Sequence, residues 1–119
     1  MNKPKYKFIK NFKYALDGLK DLIHNETSFK LDVIFVFVFS IFIFLSSYSE
    51  THKLILFFSL IIPIYSEIIN SIIERIVDLV TQEKNLIAKK AKDIGSFLVL
   101  ASYTITFFIW GYVIYLNSN

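Results

Sequence analysis

Three apolar runs, at about residues 33–49, 53–82 and 92–116, leave this chain few ways to fold. Each approaches or exceeds the ~20 residues a helix needs to cross a hydrocarbon core of ~30 Å. A lipid-embedded backbone must satisfy its own hydrogen bonds, so each run is expected to be a transmembrane helix. The first is slightly short. The second contains Pro63, whose missing N–H and ring clash predict a kink, and its polar end extends into the cytoplasm. With 119 residues, 55% of them hydrophobic and 13 of them Phe, and a mean hydropathy of +0.52, the chain carries more apolar surface than one soluble core of this size can hide. The reading is a single all-α membrane domain over residues 1–119. No cleaved signal peptide is expected, because the first apolar run starts far into the chain and Ser46-Ser47-Tyr48-Ser49 leads to no credible cleavage site.

Basic residues set the orientation. Lys3, Lys5, Lys7, Lys10, Lys13, Lys20 and Lys30 precede the first run, and Arg75, Lys84, Lys89, Lys90 and Lys92 lie in the 75–93 connection. The 50–53 turn has only Lys53, and the tail after Leu116 has no basic residue. The N-terminus and the 75–93 connection should therefore be cytoplasmic. Upstream of the first span, Phe8, Phe12, Ala15, Leu16, Leu19, Leu22 and Ile23 follow one helical face, with Lys7, Lys10, Lys13, Asp17 and Asp21 largely off it. This spacing predicts an amphipathic helix at about 5–24, lying on the membrane surface with its lysines drawn to anionic lipid by ~1 kcal/mol each. By itself that is a membrane anchor without chemistry. Asn25-Glu26-Thr27-Ser28 then interrupts the pattern and puts Glu26 at the interface.

The chemistry-bearing feature is the end of the second run. At ~100° per residue, Glu67, Asn70, Glu74 and Asp78 fall within about 80° of arc, a polar stripe on an apolar helix. An acid in a membrane segment costs ~2.5–3.5 kcal/mol on insertion scales, which makes it a functional candidate. Carboxylates without His or Cys are hard oxygen ligands, suited to Mg²⁺, Mn²⁺ or Ca²⁺. Glu26 and Glu74 would suffice for Mg²⁺ if the fold brings them together, and Glu67 is a candidate acceptor for the proton of a lipid hydroxyl. Lys92 beside Asp93 offers a cation to an anionic group. The competing structural reading is that these acids pair with lysines or bond between helices to fix an oligomer.

Several chemistries are excluded. There is no Cys, hence no disulfide or thiolate site. Gly18, Gly95 and Gly111 are the only glycines, so neither common glycine-rich nucleotide loop can be built. His24 and His52 sit at opposite ends of the first span beside no nucleophile and are read as interface residues. Tyr103, Trp110, Tyr112 and Tyr115 are read as membrane packing and interface aromatics.

Three strings carry a resemblance: Asn25-Glu26-x-x-Phe29-Lys30-x-Asp32, Glu67-Ile-Ile-Asn70-Ser71-x-Ile-Glu74-x-x-Val77-Asp78, and Ala91-Lys92-Asp93-x-Gly95-Ser96. Together they resemble the prokaryotic diacylglycerol kinase family over nearly the whole chain. The resemblance implies an ATP-dependent kinase of the bacterial inner membrane that phosphorylates 1,2-diacylglycerol to phosphatidic acid. It also implies a homotrimer whose sites are composed from more than one protomer, with Mg²⁺ as cofactor. Carried over residue by residue, Glu67 is the proton acceptor, and Glu26 with Glu74 holds the metal. Nucleotide contacts fall to Lys7, Tyr14, Glu26, Asn70, Glu74 and Asp78, to Glu83, Lys84 and Asn85, and to Lys92 and Asp93. The lipid pocket draws on Lys7, Asn11, Phe12, Lys13, Tyr14, Ala15 and Leu16, then on Lys20, Asp21, Leu22 and Ile23, then on Ser28, Phe29, Lys30, Leu31 and Asp32. Leu45, Ser46, Ser47, Tyr48, Lys53, Glu67 and Ser96 continue it, and Trp110, Gly111, Tyr112, Val113, Ile114 and Tyr115 complete it.

The chain departs from the family pattern at three of these positions. Lys7 stands where Arg is frequent and lacks the guanidinium fork. Asp32 is one methylene shorter than the usual Glu, and Asn85 stands in place of a His. Close relatives phosphorylate undecaprenol, and their Glu-x-Asn-x-Arg/Lys-x-His pattern contrasts with Asn25-Glu26-x-x-Phe29-Lys30 here, which favours diacylglycerol. A non-catalytic oligomer with structural acids remains the reading from outside the kinases.

Overall fold

In the computed structural model, residues 7–119 are described as four helices: α1 (Phe8–Asn25), α2 (Thr27–Leu45), α3 (Glu50–Val80) and α4 (Leu86–Leu116). Residues 5 and 6 of the expected surface helix, with Lys3 and Lys5, lie outside the described residues. The last three helices are long and apolar enough to cross a membrane.

Helix ends differ from the hydropathy boundaries for a physical reason. Hydropathy marks the lipid-facing stretch, whereas a helix continues through polar residues until its hydrogen-bond ladder finds a cap. α2 thus starts at Thr27 rather than near 33, and the expected four-residue interruption shrinks to Glu26, whose extended backbone is the only non-helical residue between α1 and α2. α4 starts at Leu86 rather than near 92, because Asn85 Oδ1 accepts from the amides of Ile87 (2.9 Å) and Ala88 (3.0 Å). Ser49 caps α3 by accepting from the amide of His52 at 3.2 Å.

α3 passes through Pro63 as one continuous helix. Pro63 leaves the carbonyl of Ser59, four residues earlier, without its helical donor. That carbonyl accepts instead from Thr106 Oγ of α4 at 2.8 Å, while Trp110 Nε1 donates to Ser59 Oγ at 2.9 Å. A neighbouring helix has satisfied the group that the proline freed, the general condition for proline inside a membrane helix. Trp110 and Tyr103, read as simple packing aromatics, therefore need correcting: both make hydrogen bonds between helices. Thr106→Val is expected to lower stability by ~0.6–1.7 kcal/mol, with no change in secondary structure. Thermal unfolding in detergent micelles, followed by circular dichroism, measures it.

α3 packs most extensively on α4 and less on α2, while α1 rests on α2. Ile43, Leu56, Leu60 and Val113 form the small core, with Val36, Tyr48, Ile109 and Trp110 packed around it. The body measures 59 × 40 × 26 Å, and most large apolar side chains on α2, α3 and α4 face outward. The outward apolar faces suit lipid or sister chains.

Candidate functional site

The polar stripe on α3 divides between two neighbours. Asn70 and Asp78 turn toward α4: Asn70 Nδ2 donates to Glu74 Oε1 at 3.1 Å, and Lys92 Nζ meets Asp78 Oδ1 at 2.6 Å. The Asn70 amide sits against Gly95, where any Cβ would collide with its oxygen. Glycine at 95 thus admits Asn70, and through it orients Glu74. On the adjacent face Arg75 reaches Glu26 Oε1 through Nη2 (2.8 Å) and Nε (3.1 Å), and its Nη1 donates to Asp21. The Arg75 guanidinium, followed by the Asn25 amide, holds the Asp21 carboxyl below the usual carboxylate range.

Glu67 is 8% exposed, and no hydrogen bond among the described residues reaches its carboxylate. Asp32 is 4% exposed; Tyr103 of α4 donates to its Oδ1, while its Oδ2 is buried without a partner. Among the described residues no three acids or histidines stand in metal-ready geometry.

Four hollows lie along the helices that carry these residues. Between the ends of α3 and α4, a cleft of about 280 Å³ is lined by Asp78, Glu83, Lys84, Asn85, Lys92 and Asp93 together with Val77, Thr81, Gln82, Ala88 and Lys89. Six of the residues expected at the nucleotide therefore share one cleft. Between α1 and α3 lies a cavity of about 390 Å³ edged by Ala15, Asp21, Leu22, Phe29, Ile68, Ser71 and Arg75. An apolar groove among α2, α3 and α4 runs from Asp32 and Pro63 past Phe39, Leu60, Tyr103 and Thr106 to Trp110, as two hollows of about 250 and 550 Å³ that share those four middle residues. Pro63, Glu67 and Ser71 follow at four-residue intervals on α3, so Glu67 stands on one helical row between groove and cavity.

The remaining expected site residues are dispersed. Lys7, Asn11, Phe12, Lys13, Tyr14, Leu16, Lys20 and Ile23 are exposed along α1, and Ser28, Lys30 and Leu31 are exposed at the start of α2. Leu45, Ser46, Ser47, Tyr48 and Lys53, with the stretch from Gly111 to Tyr115, stand at the opposite end of the helices from Glu26. A single chain does not bring that group to Glu67. Ser96 is exposed on α4, one position beyond Gly95. Asn85, expected at the nucleotide, has its side-chain oxygen committed to capping α4.

Arg75, counted only for orientation, and Tyr103, read only as a packing aromatic, are not among the site residues expected from sequence. Arg75 could have been, as the chain's only arginine beside twelve lysines. Tyr103 carries no such signal, because its link to Asp32 spans 71 residues and depends on tertiary register.

A family model described as prokaryotic diacylglycerol kinase matches residues 13–114. Among curated proteins, the chain is 36% identical over 110 residues to a diacylglycerol kinase of Helicobacter pylori (strain J99), covering 89% of this chain and 84% of that protein. It is 27% identical over 107 residues to one of Haemophilus influenzae, covering 90% and 91% respectively. It is likewise 27% identical over 104 residues to one of Escherichia coli K12, covering 87% and 85%.

Proposed function

Since this chain belongs to the prokaryotic diacylglycerol kinase family, we propose that it transfers the γ-phosphoryl group of ATP to the free hydroxyl of 1,2-diacylglycerol, giving phosphatidic acid and ADP. The observation that carries this reading is the position of Glu67, a buried carboxylate with no hydrogen bond among the described residues, on the helical row that joins Pro63 of the apolar groove to Ser71 of the α1–α3 cavity.

In the reaction the lipid hydroxyl oxygen bonds to the γ-phosphorus as the bond from that phosphorus to the β–γ bridging oxygen breaks. Glu67 takes the hydroxyl proton and returns it to water. Phosphoryl transfer asks mainly for positioning and charge neutralisation, so a small helical protein can supply it. The Lys92 ammonium and the lysines at 84 and 89 offer positive charge to phosphates in the α3–α4 cleft. The groove from Asp32 to Trp110 suits an acyl chain.

Glu26 and Glu74 would hold a Mg²⁺ ion. Their donor set fits, because both are oxygen ligands and Mg²⁺ commonly takes one or two carboxylates, completing its shell with water and phosphate oxygens. When bound, the ion neutralises charge on the transferring group. The remaining parts of the proposal are a homotrimer, an amphipathic α1 resting on the inner leaflet of the bacterial inner membrane, and a cytoplasmic N-terminus. Sister chains would bring the Ser46–Lys53 and Trp110–Tyr115 groups into use and cover the outward apolar faces.

The test is Mg²⁺-dependent phosphate transfer from ATP to diacylglycerol and to undecaprenol, side by side in mixed micelles, with Glu67→Gln as the blank. Transfer to diacylglycerol that vanishes in the variant is expected. Transfer to undecaprenol alone would move the substrate to the sister branch, and transfer to neither by folded protein would overturn the kinase reading.

A further inference from the structure

The sole arginine of the chain is placed where neither the nucleotide nor the lipid reading assigns it a role. Arg75 spends its nitrogens on two acids from different places: Nη1 on Asp21 near the end of α1, and Nη2 with Nε on one oxygen, Oε1, of Glu26. The second oxygen of Glu26 is left uncommitted by this arrangement. α1 itself packs on α2 and scarcely on α3, so the guanidinium is the main polar bridge between α1 and the helix that carries Glu67 and Glu74. It also edges the cavity between α1 and α3. Glu26 is the one non-helical residue joining α1 to α2: its N–H bonds back to Leu22 and its carbonyl accepts from Lys30, but its side chain caps neither helix.

We propose that Arg75 is a positioning residue for the phosphoryl-transfer site, a clasp that fixes α1 across α3 and holds Glu26 with one carboxylate oxygen turned away and the other presented to the metal ion. The proposal rests on the reading of Glu26 as a metal ligand. Stability is not its purpose: the side chains of Arg75, Asp21 and Glu26 are 46%, 41% and 23% exposed, and ion pairs so open to solvent contribute little to overall folding. What the clasp supplies is geometry. A planar guanidinium can span two carboxylates in a set orientation, and a lysine ammonium cannot, which accounts for one arginine among so many lysines. Loss of the clasp frees Glu26 Oε1 but leaves the carboxylate without the side chain that orients it, so metal binding should weaken rather than tighten.

The experiment compares the full-length protein with Arg75→Gln and Arg75→Lys. Hydrogen exchange by mass spectrometry reads α1 without requiring any activity. Binding of Mn²⁺ with a non-hydrolysable ATP analogue, followed by the EPR signal of the free ion, reads the metal site. In Arg75→Gln, exchange over α1 is expected to quicken about three- to fivefold while α3 and α4 keep their protection. The Mn²⁺ dissociation constant should rise about threefold or more, with Arg75→Lys between the two because it keeps charge but not the fork. Wild-type exchange over α1, an unchanged or tighter Mn²⁺ affinity, or loosening of all four helices together would each overturn the clasp. Failure of the wild-type protein to phosphorylate diacylglycerol would instead overturn the lipid substrate, and the exchange comparison would still judge Arg75.

Discussion

Glu67→Gln is expected to lower kcat for lipid phosphorylation by ~10²–10⁴, the usual contribution of a positioned general base. The amide keeps the volume of the carboxyl and can still pack between Pro63 and Ser71 on the same helical row, so KM for the lipid should change little. It cannot take a proton. Steady-state kinetics in mixed micelles, run beside thermal unfolding of the same preparations, separate the two accounts of this acid. A collapse of kcat in a protein that melts normally supports the base. A shifted melting temperature with kcat retained would make Glu67 an assembly residue and sink its catalytic role.

The second large effect belongs to Glu74. Its Oε1 already accepts from Asn70 Nδ2, and a glutamine carbonyl can accept the same bond, so Glu74→Gln removes charge while leaving the local arrangement in place. Turnover should fall by ~10²-fold or more, because a carboxylate that neutralises a cation is replaced by a neutral oxygen. Half-saturation by Mg²⁺ should rise with it, and high Mg²⁺ should recover part of the lost rate. A Mg²⁺ titration decides this directly: an unchanged midpoint with a full rate at saturation would remove Glu74 from the metal site. Gly95 makes the prediction specific, since its lack of a side chain lets Asn70 sit where it can steer that carboxylate.

The helices could be read from sequence because the forces that make them are local. Apolar runs of membrane length and the one-sided spacing from Phe8 to Ile23 anticipate all four. Their ends could not be read in the same way, since capping by Asn85 and the single-residue joint at Glu26 are matters of hydrogen bonding rather than hydropathy. Pro63 shows the same limit. The missing N–H is visible in sequence, but the donor that compensates for it, Thr106, is a residue of another helix. Six of the residues that the resemblance assigns to the nucleotide line one hollow between α3 and α4. Contacts that join distant parts of the chain, Arg75 to Glu26 and Tyr103 to Asp32, arise only once helices have chosen their register.

The joint at Glu26 also has the geometry of a lever. α1 is a rod of 18 residues joined to α2 through the two backbone torsions of one amino acid. At 1.5 Å per residue it is roughly 27 Å long, so a swing of only about 10° at the pivot carries its far end, where Lys7 lies, through about 5 Å. Groups near the pivot, Asp21 among them, would scarcely move in the same swing. A lipid entering from the bilayer and a product leaving toward water could thus meet an open or a covered passage through one small rotation, without disturbing the packed helices that hold the acids in place.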